Sequence, residues 1–571
     1  MAKGRKKRAE LTEYEKAVAD YRKTSARHVL VLEADLTEDE KRRIFFYDAD
    51  LVRQCGNTLI GIMKRNYEQL VRTKRYRRLK ELYGTLSETV KKMESLESPT
   101  RDQKTLLKQK HFELKSCAAS MSEMQEFYHV TWEFCRKQME SIKESYGVPS
   151  VFTLTRAEDI WRSVEKVLYS DGKYLHFRKR GDLPEIRAKQ ASRAIVIKSS
   201  DSGLVFKYRD LNIYCKIKPG DTWALAEQDA ILAYLKNPDL CDAYAVSSMD
   251  KGMIDTFRPC YASLVCKEIR GKLRVYVHLT IEGNPLQKTK NGHARHQYGK
   301  GNVGADIGTQ TVAYTSTNKV GLENLAERGN TIEHSERMER RVLRAMDRSR
   351  RATNPENYNP DGTIKKGKKV WIKSKRYRKL QKRHQELCRI NAQNRKLACQ
   401  EMANQLRSLG NVLITEPKNA KKLQKRANPE DPLDKNGKPK RKKRFGKSIR
   451  NRCPGYFQEC LKKKFESTGG VYIEVPVDYR ASQYDHTADD HIKKTLSQRM
   501  YRLADGTLVQ RDWYSSFLLY CINEEHTGID KRKCLEFFKY LYQLEQEMVD
   551  SIARSGKKIM NSGIRTKGMA A

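Results

Sequence analysis

The chain has 571 residues and carries 114 Lys and Arg against 71 Asp and Glu, a formal net charge of +43. That length supports several domains with sizeable cores, and a charge excess spread along the whole chain points to a phosphate-backbone partner, bound largely through counterion release. No apolar run is long enough to span a bilayer, and the basic start MAKGRKKRAE leads into no apolar core, so neither a membrane segment nor a secretory signal is expected.

The stretch RHVLVLEADL (27–36) reads as a strand behind a basic arm, which together make a first segment, 1–36. From Thr37 the pattern turns helical. Leu51, Cys55, Leu59 and Met63 recur at four-residue spacing and form one apolar face. Helical segments fill 37–170, interrupted near SLESPT (95–100). Within them KRYRRLK interleaves cations with a ring, so Lys74, Arg75, Tyr76, Arg77 and Arg78 are candidates for holding phosphates and stacking a base. The competing reading is a solvated helix face with one half-buried Tyr.

Residues 171–290 are strand-rich, with alternation bounded by Gly, Asp and Pro. A small β-barrel is expected, with a hairpin turning at Arg270-Gly271 and the first strand completing it. His293 and His296 have HxxH spacing without an acidic partner and read as a surface pair.

An α/β pattern occupies 291–480. VGADIGTQTVAYTST gives two strands, 333–408 long basic helices, and NVLITEP (411–417) another strand. A second cation-aromatic segment contributes Lys375, Arg376 and Arg378 as nucleic-acid candidates. Residues 418–450 hold 14 Lys and Arg against three acids and read as a loop over nucleic acid, with Lys442, Lys443 and Arg444 as contacts. The segment 481–508 is a polar insertion, and 509–571 begins with VQRDWYSSFLLY, a helix entry. Thirteen cysteines are scattered without a CxxC, which suggests reduced thiols and a cytosolic setting, and the usual four-ligand zinc spacing is absent.

Three carboxylates stand out against this basic background. Asp306 falls at the end of a strand, Glu416 at the end of another, and Asp512 at a helix start. Singly, each has a plain structural explanation. Asp306 is a strand-end turn residue, Glu416 a solvated acid before proline, and Asp512 a helix cap or first-turn acid. Their order suggests more: strand acid, second strand, helices, acid after a later strand, acid at a helix start is the arrangement of an RNase H-like nuclease. Such acids hold two divalent metals about 3.5–4 Å apart.

GADIGTQTVAY resembles the first RuvC motif of the TnpB nucleases of insertion sequences and of the type V CRISPR effectors. LITEP is similar to the second motif, SQ followed by RDWYSS to the third, and SIRNRCPGYF (448–457) to the segment between them. The resemblance covers about 300–525, with weaker likeness upstream. It implies a multidomain α+β protein: a helical recognition domain (37–170) inserted in a wedge β-barrel (1–36 and 171–290), followed by an RNase H-like (RuvC) α/β nuclease domain with a degenerate zinc-finger-like insertion. It also implies an RNA-guided DNA endonuclease with Asp306, Glu416 and Asp512 as catalytic metal ligands, using two Mg²⁺ or Mn²⁺ ions. The implied partners are a guide RNA, transposon-derived or CRISPR, and double-stranded target DNA with a short flanking motif. Arg499 and Arg511 are candidates for gripping the scissile phosphate.

In one respect the chain departs from the family. Many relatives carry two Cys pairs between SQ and RD, and here that interval has none. His486 and His491 are its only good zinc ligands, so a metal-free finger is expected and zinc is not. No second nuclease domain of the His-Asn-His type is seen, so one site would cut both strands. A monomer in the prokaryotic cytosol or nucleoid is expected, with a dimer also compatible. Two other readings remain: an RNA-guided DNA binder that does not cut, and a guide-free nucleic-acid binder or RNase H-fold nuclease.

Overall fold

The computed structural model describes residues 12–94, 100–170, 172, 174–187, 195–247, 256–329, 331–418, 423, 446–476, 479–492, 495, 498 and 499–566. Its contacts divide the chain into two compact units, Met1–Leu286 and Gln287–Ala571.

The first unit is a sheet with a helical insertion. It begins with helix α1 (Glu13–Thr24), strand β1 (Arg27–Asp35) and α2 (Glu38–Arg43), which runs through a π-helical turn, Ile44–Ala49, into α3 (Asp50–Arg72). Then come α4 (Lys74–Glu94), α5 (Arg101–Phe127), α6 (Trp132–Tyr146) and α7 (Ser150–Tyr169). The chain returns to strands with β2 (Ile186–Arg187), β3 (Ile195–Ser200), β4 (Gly203–Tyr208) and β5 (Leu211–Lys216). After α8 (Thr222–Lys236) and α9 (Pro238–Ser247) it ends in β6 (Pro259–Ile269) and β7 (Lys272–Glu282).

Seven strands pair antiparallel in the order β2-β6-β7-β1-β5-β4-β3. β1 sits centrally between β5 and β7, so the helices that follow it are an insertion between neighbouring strands of one sheet. Leu30 and Leu32 from β1, Val277 and Leu279 from β7, and Cys55, Leu59 and Met63 from α3 share one buried cluster. Reciprocal capping boxes start three helices: Thr12 with Glu15, Thr37 with Glu40, and Thr100 with Gln103. The β6–β7 hairpin turns at Arg270 and Gly271, both with positive φ, as a two-residue hairpin turn requires.

Two expectations need correction. The first segment is more than an arm and a strand, because α1 lies within it. The 171–290 region is a curled sheet rather than an all-strand barrel. Its ordered edges are β2 and β3, with β3 packing back toward β6, and α8 and α9 interrupt it. TWALAEQDAILAYLK is apolar on most sides, which hides a helical period; Asp221 caps it by accepting from the Ala224 amide at 3.1 Å.

The second unit opens with a short hairpin, β8 (Thr289–Lys290) and β9 (His293–Ala294). A meander follows: β10 (Asn302–Ile307), β11 (Thr311–Ser316) and β12 (Val320–Asn324). α10 (Ile332–Thr353) and the long α11 (Lys375–Leu409) lead to β13 (Val412–Thr415). Two further helices, Gly446–Arg452 and Pro454–Glu466, precede β14 (Val471–Glu474). The five strands order as β12-β11-β10-β13-β14. The meander is antiparallel, and β10, β13 and β14 are parallel. Cys399, Met402, Ala403 and Leu406 of α11 pack with Phe457, Leu461 and Phe465 on one face, and the helix Arg511–Tyr520 packs against β10 and β11.

Between β14 and that helix lie two small hairpins, β15 (Tyr484–Asp485) with β16 (Asp490–His491) and β17 (Met500–Arg502) with β18 (Leu508–Gln510). The helix Lys531–Ser555 then closes an aromatic cluster of Trp513, Tyr514, Phe517 and Phe538. Among the described residues no helix is long and apolar enough to cross a membrane. All thirteen cysteines are free thiols.

Candidate active site

The parallel pairing of β10 with β13 aligns Ala305 with Thr415. The next residue on each strand is an acid, Asp306 and Glu416, so the two stand side by side where the strands end. The third acid reaches them through a close helix-on-sheet contact. A Cβ at Gly304 would collide with the backbone of Ser516 and Tyr520, so only glycine lets the Arg511–Tyr520 helix lie this near β10. The hydroxyls of Thr315 and Ser516, 2.7 Å apart and buried, pin the same helix to β11.

The helix start is built separately from Asp512. Gln510 is the cap: its side-chain oxygen accepts from the Trp513 amide at 2.7 Å. Its own amide donates to Glu545 at 3.1 Å, and its side-chain nitrogen donates to the Ser562 carbonyl at 3.2 Å. Asp512 is therefore not the cap, although it is the acid of the first turn. The turn-residue reading of Asp306 falls away, since Asp306 lies within β10 and its Oδ1 accepts from Lys418 Nζ at 2.7 Å.

The charges here are in tension. Burial raises the Asp512 carboxyl to about 6, with repulsion from Asp306 adding to it and Arg499, Arg511 and Lys418 opposing. The helix N-terminus would favour the anion, so burial and the neighbouring acid outweigh it. Burial also raises Glu416, again with Asp306 adding, against Lys418, the Ala481 amide and Arg511. Glu416 is thus a half-buried member of an acid cluster and not a solvated acid.

Burial disfavours the Lys418 ammonium, yet its pKa is raised, because Asp306, Glu416 and Asp512 all stabilise its charge. Lys418 was not singled out in the sequence, where it is one of many cations opening a basic loop. Its only signal there is its position two residues after Glu416. Arg499 Nη1 lies 3.5 Å from Asp512 Oδ1, and Arg511 donates to the Thr495 carbonyl at 3.4 Å.

The ligand oxygens of the three acids do not all fall within 4.8 Å of one another around the Lys418 ammonium, but their chemistry suits a hard divalent cation. The donors are carboxylate oxygens, which match Mg²⁺ or Mn²⁺ rather than zinc. A positive group, the Lys418 ammonium, already sits against the cluster at bonding distance.

The other candidates divide. Lys74, Arg75, Arg77 and Arg78 are exposed on α4, and Lys375, Arg376 and Arg378 are exposed at the start of α11. Tyr76, a candidate for stacking a base, is instead fully buried in the core of the first unit. The helix turns its ring inward and its neighbouring cations outward. Lys442, Lys443 and Arg444 lie outside the described residues.

His486 and His491 do not converge. His486 is buried, its Nδ1 2.7 Å from the Tyr514 hydroxyl and its ring against Phe538, while His491 is exposed on β16. Burial lowers the His486 pKa, as for a core histidine. His293 is exposed, and His296 Nε2 lies 3.3 Å from Asn404 Nδ2 on α11.

No protein-family model and no curated protein matches the chain. Among solved structures it is similar to a Cas12f1–sgRNA–target DNA complex at 9% identity and a TM-score of 0.40, covering 88% of this chain and 99% of that one. It is also similar to a CRISPR-Cas12f ternary complex at 10% identity and a TM-score of 0.23, with 86% of each chain covered.

Proposed function

We propose that this chain is an RNA-guided DNA endonuclease of the TnpB and type V CRISPR effector kind, cleaving guide-matched DNA in one RuvC-type site. The observation that carries the reading is the register that sets Asp306 beside Glu416, with Asp512 electrostatically joined to them and an ammonium bonded to the cluster. The strand order β12-β11-β10-β13-β14 is that of an RNase H-like sheet, and the ordered motifs in the sequence support the same assignment.

Asp306, Glu416 and Asp512 would hold two Mg²⁺ or Mn²⁺ ions, which when bound supply an activated water and charge stabilisation at the departing 3′-oxygen. The remaining chemistry is the chain's own. Lys418 offsets part of the cluster's negative charge, and its ammonium would be available to a phosphate oxygen of the DNA with the ions bound. Arg499 holds Asp512 in place and offers its remaining donors to the same backbone. Gln510 and Gly304 fix the helix that carries Asp512, so the acid is positioned before substrate binds. The exposed cations of α4 and α11 would bind guide RNA and DNA through their phosphates.

The test is Asp512→Ala in the purified protein with its co-purified RNA. Cleavage of guide-matched duplex should vanish while RNA retention and target binding persist. Cleavage at the normal rate would sink the assignment. Heterogeneous co-purified RNA with unguided cutting would instead favour a guide-free nuclease.

A further inference from the structure

A second cluster of ligand-type side chains lies between α10 and α11. His384 and Cys388 are one turn apart on α11 and share a face. Glu339 meets them from α10. Its Oε1 is 3.2 Å from His384 Nε2 and 3.7 Å from Cys388 Sγ, and those two atoms are 3.6 Å apart. Among the described residues this is the one trio of His, Cys, Asp or Glu whose ligand atoms all fall within 4.8 Å of one another. All three residues are partly buried, with the Glu339 and His384 side chains each 24% exposed.

Glu339 Oε1 can accept from both neighbours at once, which leaves the 3.6 Å approach of Nε2 and Sγ as the side of the triangle that those two bonds do not require. The same single atom of each residue, Oε1, Nε2 and Sγ, makes both of that residue's contacts. A neutral imidazole nitrogen has one role to give, as donor or acceptor. Three donor atoms at these separations have the spacing of one face of a coordination tetrahedron. For zinc, with bonds of about 2.0 Å to N and O and 2.3 Å to S, the tetrahedral edges are about 3.3 Å for N–O and about 3.5 Å for N–S and O–S. The observed triangle matches within a few tenths of an ångström.

We infer that Glu339, His384 and Cys388 form a zinc site that clips α10 to α11, with the fourth corner open to water. Thiolate, imidazole and carboxylate together are the mixed soft and borderline set that selects zinc over magnesium. The charge balance also fits. On binding, the Cys388 thiol would release its proton, and thiolate and carboxylate together would cancel the two charges of the ion, leaving a neutral site beside Arg450, whose Nη2 lies 3.9 Å from Glu339. The site is separate from the carboxylate cluster and does not depend on the nuclease reading. It escapes motif searches because its ligands are split between two helices rather than spaced as in a finger. Zinc is not expected from the sequence, where the usual four-ligand spacing is absent, and this proposal revises that expectation. One turn before Glu339, Glu336 accepts from Lys447 at 2.8 Å and from Asn451. The clip would therefore also steady the helix Gly446–Arg452, which occupies the end of the 418–450 stretch expected to be a loop.

The full-length protein would be stripped with chelator, reloaded with Co²⁺ in magnesium buffer, and read by absorption. Wild type should show a thiolate-to-cobalt charge-transfer band and one tightly held equivalent of zinc by elemental analysis. Cys388→Ser and His384→Gln should lose both, while Asp306→Asn keeps both. Absence of the band in wild type, or its survival in Cys388→Ser, overturns the site. Should those variants fold poorly, alkylation of wild-type Cys388 mapped by mass spectrometry decides. Zinc should slow it at least about tenfold, and an unchanged rate overturns the proposal.

Discussion

The ammonium of Lys418 lies 2.7 Å from Oδ1 of Asp306, and Glu416 and Asp512 also stabilise its charge. A lysine held this way occupies the electrostatic place of a metal ion. Cation binding must therefore compete with it. In Lys418→Gln the competitor is gone, and Mn²⁺ affinity measured by titration calorimetry should rise about tenfold, which corresponds to about 1.4 kcal/mol. The same variant without metal leaves the acids unneutralised and should lose about 1–3 kcal/mol of stability in denaturant. Unchanged Mn²⁺ affinity would mean that the ions bind away from Asp306.

Gly304 faces the backbone of Ser516 and Tyr520, and there is no flexible side chain there to move aside. Gly304→Ala must push the Arg511–Tyr520 helix outward. A stability loss of about 1–3 kcal/mol is expected from overpacking. Cleavage should fall further than stability alone explains, because Asp512 rides on that helix. A folded variant with wild-type cleavage at saturating Mg²⁺ would mean that the helix position does not set the site.

Much of this was legible in the chain. Asp306, Glu416 and Asp512 stand out because carboxylates are conspicuous in a strongly basic sequence and each abuts an apolar element, the first two at its end and Asp512 at its start. The strand at 27–36 and the Leu51–Met63 face were readable from period alone. Other features were not. Lys418 is one cation in a basic run, and only the fold brings it to Asp306. α8 has too many apolar sides to display a helical stripe. Glu339 meets His384 and Cys388 through helix packing, which no local spacing encodes. Tyr76 was ambiguous in the sequence because alternating cations and rings look alike whether the ring faces solvent or core.

Tyr76 makes that distinction measurable. Its ring is fully buried, and its hydroxyl is 3.5 Å from Gln125 Nε2, a weak contact. Tyr76→Phe should leave both stability, within about 1 kcal/mol, and nucleic-acid affinity unchanged. Tyr76→Ala should cost about 3–5 kcal/mol through the cavity it leaves. By contrast, Arg75→Ala combined with Arg78→Ala should weaken RNA binding and flatten its salt dependence without changing the melting temperature. A loss of RNA affinity in a fully folded Tyr76→Phe variant would restore the stacking role.

The raised Asp512 carboxyl sets a pH window. Its folded pKa is about 6, above the usual carboxylate range, because burial and Asp306 disfavour the anion. Between roughly pH 4 and 6 the folded protein holds a proton that the unfolded chain has released. This group's stabilising effect is therefore full below about pH 4 and lost as pH rises through about 6. Metal-free Asp512→Asn avoids that loss and should be more stable than wild type at pH 7.5, by about 1–3 kcal/mol, while failing to cut. In wild type, divalent cations compete with the same proton. Mn²⁺ affinity should fall about tenfold per pH unit below 6 and level off above it. The denaturation midpoint with and without Mn²⁺, taken across pH 5 to 8, reads both effects at once. A midpoint independent of both pH and metal in this range would show that Asp512 is neither strained nor a ligand.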